Sequence, residues 1–179
     1  MLTEEFLNIS RTQFAIVGPS VSQSEITAIF PNSFDGREDL IQFYLSQNGG
    51  SRTPQGCLIH CGNPAHRVSR DKVDELRVEG FFSISRTAED RMLPFAPMLR
   101  HFAAVMQTFG EIPATREFLE THMSIAFDHC GNDLWIDTGK GHIRFMDWDK
   151  YEQGPVAVAS SFSEFVARFW NNGPRSDLE

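Results

Sequence analysis

The stretch Ser124–Trp148, SIAFDHCGNDLWIDTGKGHIRFMDW, alternates apolar and polar residues around two four-residue segments with glycine, HCGN at 129–132 and TGKG at 138–141. A period of two marks half-buried strands, and glycine supplies the backbone freedom that short reversals need. The pattern predicts a three-strand meander over 124–128, 133–137 and 142–148. Loops of equal length then set the register: Asp128 faces Asp133, and Asp137 faces His142. Phe127, Leu134 and Phe145 form one row and Ile125, Ile136 and Ile143 the next, all on one face. A slip of one residue would turn each strand inside out, so agreement between the two loops is informative.

The other face carries Asp128, Asp133, Trp135, Asp137, His142, Arg144, Met146 and Trp148, with Trp135 opposite Arg144. Two readings are open. A helix covers the tryptophans, because large apolar side chains are usually buried. Alternatively the face binds a partner, with Trp135, Arg144 and Trp148 as anchors and Asp128, Asp133, Asp137 and Asp149 pairing with the partner's Lys and Arg, since Trp and Arg are enriched at the centres of interfaces. Asp128 opposite Asp133 favours the second reading, because directly opposed like charges destabilise a sheet unless a cation relieves them.

Helical signals flank the meander. Ser22 and Ser24 lead into EITAIFP, and Asp35 with Glu38 has the spacing of a capping box ahead of Leu40, Phe43 and Tyr44. Asn48, Gly49 and Gly50 end that run. Pro97 opens an amphipathic helix through Leu99, Phe102, Met106 and Phe109, and a short helix near 116–121 follows. Ser161 and Glu164 form a second box before Phe162, Phe165, Val166 and Phe169. GCLIH and GFFSIS read as short strands separated by a charged stretch, 66–79. The sum is an α+β fold: a single domain over 1–179, with a mostly antiparallel sheet, a three-strand meander and about four to six flanking helices.

Sixteen Lys and Arg against 24 Asp and Glu leave a formal charge of −8, which disfavours nucleic acid and anionic membranes and favours a basic partner. The first residues, MLTEEFLN, are acidic where a secretory leader would be basic, and no window offers the roughly 18 apolar residues of a membrane span, so a cytoplasmic location is expected. Three cysteines fit a reducing compartment. Two clusters carry metal-ligating residue types. Asp128, His129, Cys130 and Asp133 sit at adjacent loop positions, and Cys57, His60, Cys61 and His66 are irregularly spaced, unlike the paired ligands of structural zinc. No nucleophile elbow or phosphate loop occurs, and Asp147 with Asp149 reads as a solvated pair rather than glycosidase acids. No enzyme, cofactor or metal is expected.

A helix ending in IFP, a helix running into LSQNGG, then IAFDHCGNDLWIDT, HIRFMDW and VAVASSFSEFVARF resemble, in order and spacing, the SUKH superfamily. That group holds fungal regulators of cell-wall synthesis and bacterial immunity proteins that neutralise toxins, many of them nucleases. The resemblance spans Ser22 to Trp170 and rests on Pro31, Asn48, Gly49, Gly50, Phe127, Asp128, Gly131, Asp137, Ser161, Phe162 and Phe165, most of which look structural. Residues 1–21, an N-terminal extension, and 51–79, a variable insertion, fit it poorly. The resemblance implies a non-catalytic protein that inhibits a basic toxin domain by occlusion, with a regulatory scaffold as the alternative.

Overall fold

The computed structural model describes residues 14–15, 18–52, 57–60, 75–84, 97–128 and 130–171. Within them the order is β1 (Phe14–Ala15), α1 (Gln23–Ile29), α2 (Arg37–Ser46), β2 (Gly50–Arg52), β3 (Cys57–His60), β4 (Glu75–Val78) and β5 (Gly80–Phe81). Then come α3 (Met98–Phe109), α4 (Pro113–Thr121), β6 (His122–Phe127), β7 (Asp133–Asp137), β8 (Ile143–Met146), a 3-10 segment (Trp148–Gln153), β9 (Val156–Ala159) and α5 (Phe162–Asn171). A seven-stranded sheet runs β1-β2-β5-β6-β7-β8-β9 with every neighbouring pair antiparallel, and β3 and β4 form a separate antiparallel hairpin. The fold is α+β.

The helix starts follow local chemistry, with two departures. Ser22 caps α1: its hydroxyl accepts from Glu25 N at 3.3 Å while Glu25 Oε2 accepts from Ser22 N at 2.8 Å. Asp35 does not cap α2. Gly36 takes that place at φ 77°, and a Cβ there would sit 2.9 Å from Phe162 N, so the close approach of α5 excludes a side chain. At α5 the box is shifted by one residue. Ser161 Oγ accepts from Glu164 N at 3.1 Å, but the Glu164 carboxylate reaches back to Ser160 N at 2.7 Å.

The meander forms, with one register as expected and one not. β7 and β8 pair Leu134 with Phe145, Trp135 with Arg144 and Ile136 with Ile143. Between β6 and β7, however, Phe127 and not Asp128 faces Asp133, and beyond an irregularity at Ile125 Ser124 faces Trp135 and Met123 faces Ile136. The cause is Asp128 itself. Its carboxylate accepts from the backbone N–H of Cys130 and of Asn132, both at 2.8 Å, and from Asn132 Nδ2 at 2.9 Å, which draws it out of the ladder and into the turn. The bulge then restores Ile125 to the core, where it is fully buried. The opposed pair of carboxylates inferred from the sequence therefore does not exist, and with it goes the repulsion a partner's cation would relieve.

The expected inward face is the main core. Leu134, Ile136, Ile143 and Phe145 share one cluster with Ile26, Phe30, Leu40, Phe43, Phe162 and Phe165 from α1, α2 and α5. Phe43 lies 4.7 Å from Phe81 and 5.7 Å from Phe162 between ring centroids. Each such ring contributes about 1.5–3 kcal/mol on burial. Asn48 closes the sheet's far side: its Nδ2 donates to the carbonyls of Pro19 and Ile84, both at 2.7 Å, and its Oδ1 accepts from Ile84 N at 2.6 Å. Gly49 follows at φ 70° with Phe81 O 2.7 Å from where a Cβ would be. Strands β1, β2, β4 and β9 were not foreseen. No helix among the described residues is long and apolar enough to cross a membrane.

Candidate functional site

On β7, Asp133, Trp135 and Asp137 point away from the main core, and what meets them decides between the two readings of that face. Helices α3 and α4 lie over it. Trp135 is 0% exposed, in a second cluster with Val105 of α3, Leu119 of α4 and Met146 of β8. Phe102, Phe118 and Trp148 surround its ring at centroid distances of 6.2, 5.6 and 6.0 Å. An indole sealed by two helices touches no partner, so Trp135 is withdrawn as an anchor.

Asp133 is likewise 1% exposed. Its Oδ2 accepts from Trp148 Nε1 at 2.7 Å and lies 2.9 Å from His101 Nε2, and His101 stacks on Phe82 at 4.3 Å. A buried carboxylate is tolerated only when such partners replace water. It is therefore a structural link between β7, α3 and the 3-10 segment, and not a group that meets an incoming cation. The closure is incomplete: Asp133 Oδ1, Trp135 Nε1 and Ser124 Oγ, all on strands β6 and β7, are buried without a hydrogen-bond partner among the described residues.

The remaining candidates fall at the two ends of the meander. At one end Trp148 is half-buried and stacks on Phe109 at 4.5 Å, with Tyr151 5.5 Å from the same ring. Asp149 is exposed beside it, and Asp147 accepts from Asp149 N at 3.1 Å and from Lys150 Nζ at 2.5 Å. Asp128 is mostly occupied by its turn. Desolvation, then the charges of Asp128, Asp147 and Asp149, push the Cys130 thiol above its usual range, which keeps it protonated and a poor nucleophile. At the other end the Asp137 carboxylate meets an opposing pair of effects. Burial raises its pKa, but N–H bonds from Gly139 at 2.8 Å and Lys140 at 2.9 Å, with the charges of His122 and Lys140, hold it below the ordinary value. Arg144 is half-buried in the row next to it and makes no hydrogen bond or ion pair among the described residues.

Among the described residues no group of three or more His, Cys, Asp or Glu is placed to hold a metal. Cys61, His66 and His129, members of the two clusters of ligand types in the sequence, lie outside the described residues. His101 was missed entirely, since nothing local signals that a residue on α3 pairs with a carboxylate 32 positions later. The covering role of α3 had a signal, the apolar stripe of Leu99, Phe102, Met106 and Phe109.

The family model described as SMI1 / KNR4 family (SUKH-1) matches residues 37–168. The chain belongs to the SMI1 / KNR4 family. The SUKH-1 span opens on Arg37, the first residue of α2, and closes inside α5, so it includes the meander, both covering helices and both ends of the face. Helix α1 and strand β1 precede it. No curated protein and no solved structure gives a significant match to this chain.

Proposed function

We propose that this SUKH-1 chain is a non-catalytic binding protein that inhibits a basic toxin of the nuclease class by occluding its cleft. The family match over 37–168 carries the reading. The net charge of −8 supports it, because a nuclease needs a cationic cleft for phosphate and an acidic inhibitor is steered to such a cleft. Asp137, Arg144, Trp148 and Asp149 are the contacts retained from the sequence reading, with Trp135 and Asp133 holding the surface from beneath. In this reading 1–179 acts as one domain in the cytoplasm, and 1–21 and 51–79 tune the choice of partner.

The test is co-expression in a bacterial host with the product of the gene directly upstream. Restored growth and a complex that survives co-purification are expected. Killing that proceeds unchanged, with no complex, retires the reading.

A further inference from the structure

We propose that the 3-10 segment Trp148–Gln153, backed by Phe109 of α3, is a docking platform for an arginine-bearing loop of a basic protein. The inference deepens the function proposed above and rests on it for the partner being a protein. Phe109, Trp148 and Tyr151 form one aromatic group, and all three residues are half-buried. Trp148 is not free to swing away, because its Nε1 is fixed to the buried Asp133 at 2.7 Å. Rigid, half-covered rings of this kind are good contact surfaces, since little side-chain entropy is lost on binding.

The charge around the rings points one way. Asp147, Asp149 and Glu152 lie within six residues, against a single cation, Lys150, which is already bound to Asp147. Arg116 of α4 is engaged through its Nε with the Gly110 carbonyl, next to Phe109, at 2.5 Å. Asp149 and Glu152 are exposed, and the Asp149 carboxylate makes no hydrogen bond or ion pair among the described residues. Carboxylates alone would attract any cation. Carboxylates beside half-buried aromatic rings select arginine, whose planar guanidinium stacks on a ring and forks onto a carboxylate together, whereas a lysine ammonium is a compact, strongly hydrated point charge.

The experiment titrates the full chain with deca-arginine and, separately, deca-lysine, followed by NMR at the backbone amides and the indole N–H signals. Shifts should centre on the Trp148 indole and residues 148–153, with deca-arginine binding about threefold or more tighter than deca-lysine. Tyr151→Ala should erase that preference, and Asp149→Lys with Glu152→Lys should weaken deca-arginine about fivefold or more. Shifts centred instead on other acidic surface, such as Glu117 and Glu120 of α4, or a preference that survives Tyr151→Ala, overturn the platform. Amide spectra of the variants establish that each is folded. Because no toxin is used, failure here with host protection intact removes the platform alone, and failed protection with the platform intact removes the toxin reading alone.

Discussion

The two faces of the central sheet are both covered by helices and both rich in aromatic rings, yet they are built differently. Toward α1, α2 and α5 the strands present Leu134, Ile136, Ile143 and Phe145, side chains that need only be kept from water. Toward α3 and α4 they present Asp133, Trp135 and Ser124, whose polar atoms need partners and only partly find them. The first face specifies the fold by volume and pattern. The second is held by a polar link, Asp133 with Trp148 and His101, and its edge is where aromatic and acidic groups reach solvent together.

The comparison can be broken most severely at the first face. Phe162→Ala, at a fully buried ring, should cost about 3–5 kcal/mol in urea unfolding. A loss below 1 kcal/mol would mean that this face does not organise the molecule. At the second face Asp133→Ala should cost less, about 1–3 kcal/mol, because the Trp148 N–H and His101 lose their acceptor while a buried charge disappears. A more stable Asp133→Ala protein would show the link to be a burden and not a fastening.

A smaller effect distinguishes the faces by pH. His122 stacks on Phe118 at 4.0 Å, and its Nδ1 lies 2.9 Å from the Phe118 carbonyl, which can only accept, so Nδ1 carries the proton. Its Nε2 is buried without a partner among the described residues, and desolvation lowers its pKa below 6.5. A folded pKa beneath the unfolded one gives stability that is present above pH 6.5 and lost as pH falls through the lowered value. Stability of the native protein should therefore decline below pH 6.5, and His122→Phe should flatten that decline. An identical slope in the variant would contradict the assignment. Least affected should be Asp149→Lys, an exposed change expected to shift stability by no more than about 0.5 kcal/mol, as equilibrium unfolding can check.

How much of this was readable from sequence follows the same division. The inward residues of β7 and β8 were legible because apolar alternation is a local signal, and four of the five helices announced themselves through caps or stripes, whereas α4, read as a short helix near 116–121, begins at Pro113. The β6 register was not, because counting loop residues ignores that Asp128 prefers the backbone N–H groups of Cys130 and Asn132 to a place in the ladder. Strand β4 lay hidden in a charged stretch, and β9, VAVA, has too little bulk to stand out. Whether Trp135 faced a helix or a partner could not be decided from its strand, since the covering residues come from α3 and α4, earlier in the chain. His101 belongs to that same long-range class.

The central claim is that α3 and α4 seal Trp135 and leave Trp148 as the indole at the edge. Incorporating 5-fluorotryptophan and assigning the three tryptophans by Trp→Phe substitution allows a direct reading by fluorine NMR. The Trp135 resonance should show no shift between H2O and D2O and no broadening by a soluble gadolinium chelate, while Trp148 should respond to both. A Trp135 signal that responds as strongly as Trp148 would contradict the account.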